Sequence, residues 1–127
     1  AGATALVRCS GSADPFQPKS LRASMGSLLR IPVVEGEAPE STLRLLRDKG
    51  LTITACIPRG GIDFREADLR SPLALVMGSE ASGLPDRLQE LADQRISVPM
   101  SDAVESLNVA MVTGLVLYEA ARQRGIL

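Results

Sequence analysis

"ISVPMSDAVESLNVAMVTG", from Ile96 to Gly114, has three parts: a short β-like run stopped by Pro99, a polar stretch, and a long apolar segment. Ser106 and Asn108 interrupt what is otherwise fit to be a buried helix, where polar groups are costly unless they find partners. Leu107, Val109, Met111, Val112, Leu115, Val116 and Leu117 go nearly all the way round that helix. Such a helix is buried inside the domain or against a partner chain. The pattern predicts that "ESLN" opens the helix and that Asp102, Ser106 or Asn108 satisfies the unpaired N–H groups of its first turn. Capping accounts for one such residue better than for three.

Outward from this stretch, short apolar runs alternate with helix-like ones. "ATALVRC", "IPVV", "LTITACIP", "LALVMG" and "RISVPM" read as strands; "PKSLRASMGSLLR", "ESTLRLLRDKG" and "LPDRLQELAD" read as helices. This is the alternation of an α/β protein, a mostly parallel sheet flanked by helices. "LTITAC" and "LALVM" are continuously apolar, as expected of central strands buried on both faces. Leu43 and Leu46 mark the inner face of a helix ending at Gly50, while Pro85 suits the first turn of another. "IPRGGIDFREADLRS", Ile57 to Ser71, is the longest irregular segment, either a connector or the wall of a site.

The 127 residues, 45% of them hydrophobic, suffice for one domain with a sizeable core. With a net charge of −1, the whole-molecule field does not draw in nucleic acid, so an RNA partner must be held by local arginines or another segment. The absence of histidine removes Ser-His-Asp and Cys-His catalysis and the common zinc sites. Cys9 and Cys56 stand far apart and read as buried thiols rather than metal ligands. No run spans a bilayer or resembles a signal peptide, so a soluble, cytoplasmic protein without a metal is expected.

"LVMGSEASGLPD" is a strand, a glycine-framed turn and a helix start, the place where parallel α/β sheets bind ligands. Gly78 and Gly83 have the first spacing of a phosphate loop, but Leu84 and Pro85 stand where Lys and Ser/Thr are required. Glu80 would repel a pyrophosphate. A cationic or neutral ligand fits the turn, and a tight turn with a solvated glutamate explains it equally well in isolation.

Taken together, "LVMGSEASGL" and "ISVPMSDAVESLNVAMVTG" resemble the second and third motifs of the SpoU family of RNA ribose 2′-O-methyltransferases, of the SPOUT superfamily. "DPFQPKSLRASMGSLLRIPV", Asp14 to Val33, is similar to the segment that precedes them. The resemblance covers essentially residues 1–127, read as one methyltransferase catalytic domain truncated at its N-terminus. It implies a SPOUT-type fold with a deep C-terminal trefoil knot, and S-adenosylmethionine as cofactor. Carried over by position, Gly78, Val98 and Leu107 hold the donor through backbone groups. Glu80 shapes the site, Ser106 and Asn108 stand beside the reacting ribose, and Arg22 is a candidate contact to substrate phosphate.

The family's usual activating arginine lies in a motif N-x-G-x-x-x-R, expected upstream of "AGATALVRC" and missing here. The departures at Ala81, usually glycine, and Asp102, often a small residue, leave the detailed loop shape open. The resemblance further implies an RNA partner, ribosomal more than transfer RNA, and a homodimer through the last helix at Met111, Leu115 and Tyr118. Three alternatives stay open: an inactive donor-binding or dimerising module, a base methyltransferase of the same superfamily, and an unrelated flavodoxin-like domain.

Overall fold

A computed structural model describes residues 1–103 and 105–127, so Val104 of the opening stretch lies outside the described residues. The chain forms two compact units, Ala3–Thr42 and Leu43–Leu127 with Ala1–Gly2. In the first, β1 (Leu6–Arg8) pairs in parallel with β2 (Val33–Glu35), Leu6 opposite Val33 and Arg8 opposite Glu35. Between them the expected single helix is broken in two. α1 (Pro18–Ala23) ends, Met25 and Gly26 take left-handed backbone at φ 46° and 82°, and Ser27–Arg30 forms a 3₁₀ turn. Two consecutive left-handed residues cannot continue a right-handed helix.

α2 (Pro39–Asp48) ends as its sequence predicts. Gly50 adopts φ 87°, its N–H donating to Arg47 O and that of Leu51 to Leu46 O, which satisfies the last turn's carbonyls.

The second unit is built on a four-stranded parallel sheet. Its strands are β3 (Thr52–Cys56), β4 (Ile62–Asp63), β5 (Leu73–Val76) and β6 (Gln94–Ser97), in the order β4-β6-β3-β5. Thr54 lies opposite Leu75 of β5 on one side and Gln94 of β6 on the other. β3 is the central strand that its apolar run predicts, with Ile53, Thr54 and Ala55 fully buried. Thr54 reaches the interior because its hydroxyl accepts a hydrogen bond from the Gln94 side chain at 2.9 Å.

β5 corrects an expectation: "LALV" lies at the sheet edge and is only half-buried. Its continuous apolarity has another cause. Leu73, Leu75 and Met77 pack on the core cluster that holds Val116 and Ala120, whereas Ala74 and Val76 pack on the one that holds Leu43 and Leu88. Strand side chains alternate between faces, and both faces are covered. The segment Ile57–Ser71 also contains more structure than its sequence suggests, since β4 pairs with β6. Gly61 permits this approach, for a Cβ there would stand 2.6 Å from the carbonyl carbon of Ile96.

α3 (Asp86–Glu90) follows Pro85, which is the N-cap residue rather than the first helical one, and buries Leu88. α4 (Val109–Gln123) covers the opposite face of the sheet with Val112, Val116 and Ala120. It begins at Val109, not within "ESLN", so Glu105–Asn108 form a non-helical lead-in. Nor is α4 enclosed all round within this chain. Met111, Leu115 and Tyr118, spaced at i, i+4 and i+7, form an exposed apolar stripe, with Met111 59% and Tyr118 60% accessible.

The last turns of α4 fasten the segment before β5. The Gln123 amide accepts from Leu69 N–H and donates to Ala67 O, and the Arg124 guanidinium donates to Leu69 O and Ser71 O, both at 2.9 Å. Beside them the buried Glu119 accepts from Arg122 at 2.7 and 2.8 Å and from Gln123 at 2.9 Å. The Arg122 hydrogen bonds, then the Gln123 one, lower its pKa to about 2.

A carboxyl whose folded pKa lies below its unfolded value stabilises the fold above the unfolded pKa, and that contribution disappears as pH falls through the folded one. Stability should therefore decline from about pH 4.5 to about pH 2, and acid titration followed by circular dichroism should show a shallower decline for Glu119→Gln. Part of the decline should persist, because Asp63, paired with Arg65, also titrates at about 2.

Candidate functional site

β3 has β5 on one side and β6 on the other, and all three run parallel, so their carboxyl ends meet at one edge of the sheet. Ligands of open α/β sheets bind in the crevice outside such a point. A cavity of about 320 Å³ lies there. Its walls are Cys56 to Pro58 after β3, Met77 to Glu80 with Gly83 and Leu84 after β5, Val98 and Met100 after β6, and Ser106 to Val109 with Val112 at the head of α4. The volume lies at the lower end of the range for small-molecule sites.

The β5 wall is a self-closed turn. Ser79 and Gly83 exchange two backbone hydrogen bonds at 3.1 and 2.9 Å, and the Ser79 hydroxyl meets Ser82 N–H and Ser82 Oγ. Gly83 takes φ 67°. The returning chain passes so near Gly78 that a Cβ there would overlap the Gly83 carbonyl carbon and the Leu84 nitrogen and lie 2.5 Å from the Gly83 oxygen. These obstacles are backbone atoms, which cannot swing aside. The tight turn that the sequence allowed is also one wall of the cavity.

The head of α4 answers the question of its polar residues. Asn108 is the N-cap: its side-chain oxygen accepts from Ala110 N–H at 2.9 Å and from Met111 N–H at 3.3 Å. Its side-chain nitrogen donates to Glu80 Oε1 at 2.8 Å, fastening α4 to the turn after β5. Asp102 does not cap the helix. It faces Arg59 at 3.6 Å, in the loop after β3. Ser106 lines the cavity, exposed, one residue before Leu107.

Among the residues lining the cavity, Glu80 alone carries a formal charge at neutral pH. Burial pushes the Cys56 thiol up to about 12, so it stays protonated and is a core group rather than a nucleophile. The described residues hold no cluster of three or more His, Cys, Asp or Glu able to bind a metal, and none of their helices is long and apolar enough to cross a membrane. A cavity with largely apolar walls, a glycine that cannot take a side chain at position 78 and one carboxylate admits a neutral or cationic molecule and disfavours an anion.

Of the residues proposed from the sequence, Gly78, Glu80, Val98, Ser106, Leu107 and Asn108 all line this cavity. Arg22 is exposed on the last turn of α1, in the N-terminal unit. Ile57 and Pro58, from the segment read as either a connector or a site wall, do line it, whereas Met77, Met100 and Val109 were missed as wall residues. Their apolar side chains carry no chemical signature, and only their place just past a strand end or at the helix head could have marked them.

The architecture defines a parallel α/β domain whose crevice is framed by three strand-end loops and a capped helix. The SpoU rRNA Methylase family model matches residues 1–118, and this chain belongs to that family. It is 35% identical to a 23S rRNA (guanosine-2′-O-)-methyltransferase, RlmB, of Photobacterium profundum over 99% of its length and 51% of the relative's. It is also similar to two solved structures with AdoMet bound. One is the SpoU methyltransferase AviRb of Streptomyces viridochromogenes, with TM-score 0.89, 32% identity, and 97% and 51% coverage of the two chains. The other is an rRNA methyltransferase of Sinorhizobium meliloti, with TM-score 0.88, 34% identity, and 96% and 47% coverage. The chain thus spans about half the length of these proteins.

Two substitutions separate the tasks of Asn108. Asn108→Ala removes both cap and tether and should cost about 0.5–2 kcal/mol in urea denaturation. Asn108→Asp keeps the capping oxygen but sets a carboxylate against Glu80. Its loss should shrink on acidification, whereas that of the alanine variant should not.

Proposed function

We propose that the cavity binds S-adenosylmethionine and that this chain is the donor-binding part of an enzyme that methylates a ribose 2′-hydroxyl of ribosomal RNA. The observation that carries the reading is the wall itself, where Gly78, Val98 and Leu107 meet around a site whose one charge is the Glu80 carboxylate. Bound there, S-adenosylmethionine supplies an electrophilic methyl group on a positively charged sulfur. At Gly78 no side chain stands between the cavity and the main chain, so recognition there can run through backbone groups. Glu80 balances a cationic ligand and, by accepting from Asn108, holds the head of α4 in place. Relatives named for 2′-O-methylation of 23S rRNA support ribosomal RNA as substrate, and with it we adopt a cytoplasmic location.

A ribose hydroxyl is a weak acid, so transfer requires both alignment and removal of a proton. Ser106 and Asn108 orient and stabilise; neither is a base at neutral pH. Asn108 is the only asparagine in the 127 residues, so they contain no N-x-G-x-x-x-R motif. The chain alone should therefore bind the donor product S-adenosylhomocysteine in a calorimetric titration yet transfer little labelled methyl to RNA. Absence of binding heat would remove the donor-site reading. Robust transfer that Asn108→Ala abolishes would remove the incomplete-site reading.

The apolar stripe of Met111, Leu115 and Tyr118 supports a homodimer through α4, since an isolated monomer gains nothing by exposing such a row. Leu115→Asp should shift sedimentation from dimer to monomer with the helical signal retained. For the C-terminal segment we adopt the deep trefoil knot of the SPOUT type. It is supported by the way the loops after β5 and β6 and the head of α4 close on one cavity. An experimental chain trace in which no loop encloses the C-terminal segment would overturn it.

A further inference from the structure

The N-terminal unit carries a feature that the donor cavity does not use. From Pro15 to Val34 the chain has three cations, Lys19, Arg22 and Arg30, and no carboxylate, although its net charge is −1. Lys19, Arg22 and Arg30 make no ion pair among the described residues, a state they share with Arg44, Lys49, Arg70, Arg95 and Arg124, but they alone lie in a 20-residue stretch without a carboxylate. Lys19 and Arg22 are three residues apart on α1 and share a face. Arg30 closes the 3₁₀ turn.

Between them stands Met25, the one non-glycine residue with positive φ among the described residues, at 46°. A long side chain in the left-handed region is strained, and strain of this kind gathers where it serves a purpose. Here it yields no core contact: Met25 is 91% exposed, and Leu29 beyond it is 76% exposed.

We propose that the segment Lys19–Arg30 is an RNA-docking surface, with the three cations against phosphates and Met25 against an unstacked base. The proposal rests on the reading of RNA as substrate. Phosphate contacts are how a protein of negligible net charge positions a polyanion, and a flexible, polarisable thioether suits a base face. The six residues of α1 are too few to form the long apolar face of a membrane-surface helix.

The test is the binding of a fluorescently labelled RNA hairpin to the 127-residue chain across a salt series. Lys19→Glu/Arg22→Glu/Arg30→Glu should weaken binding about tenfold or more, and flatten the plot of log affinity against log salt by about 2 to 3. Each single reversal should flatten it by roughly 0.7 to 0.9. Met25→Gly should raise the unfolding midpoint, because glycine accepts the left-handed backbone, and at the same time weaken RNA binding. A purely structural residue would not move the two in opposite directions.

Titration of the same variants with S-adenosylhomocysteine separates this surface from the donor cavity. Unchanged donor binding with a flattened salt slope supports the proposal, and failure of donor binding with that slope change would count only against the cavity reading. RNA binding absent from the native chain, an unchanged salt slope, or loss of self-association in place of RNA binding would overturn it, the last by making the surface a contact between copies.

Discussion

β3 is the constraint from which the rest of the molecule follows. Its residues Ile53, Thr54 and Ala55 have no solvent contact, and it is hydrogen-bonded in parallel to a strand on each side. Parallel pairing makes β3, β5 and β6 finish at the same edge, and each chain must leave the sheet there. The loops that follow therefore crowd together whatever their composition. Parallel strands also require crossovers that cover both faces, which explains why an edge strand as short as β5 can be apolar on both sides.

Crowding at that edge sets the chemistry. Gly78 has no side chain because the turn returns over it, and any Cβ there would collide with the backbone of Gly83 and Leu84. The Asn108 amide then joins two elements distant in sequence, its oxygen capping the start of α4 and its nitrogen donating to Glu80. One small side chain thereby completes a helix, fixes a loop and spares the only charged wall residue from facing the cavity without a partner. Stability and site geometry are not separable at this position, so activity lost on substitution there needs a stability measurement beside it.

Some of this was legible in the residues. The α/β alternation, the end of α2 at Gly50, and the two glycine- and Asn-containing motifs all follow from local rules and from their resemblance to a known family. What misled was equally local. "PKSLRASMGSLLR" has helical composition throughout, and nothing in it announces that Met25 takes a backbone conformation ordinarily left to glycine. "ESLN" contains acceptable first-turn residues, and only the observed partners of Asn108 show that the helix waits until Val109.

The sequence by itself determined which side chains could take part: no imidazole, no cysteine pair, one asparagine, and a glutamate in a glycine-framed turn. Those are matters of chemical inventory and short-range periodicity, and they need no partner from elsewhere in the chain. Tertiary structure decided which candidates meet. It brought Glu80 to Asn108 across 28 positions, sent Asp102 to Arg59 instead of to the helix, and turned Ile57, Pro58 and Met100 into cavity walls. The reason is that capping, ion pairing and enclosure are contests between partners distant in sequence, and the parallel sheet chooses among them by fixing where each loop begins.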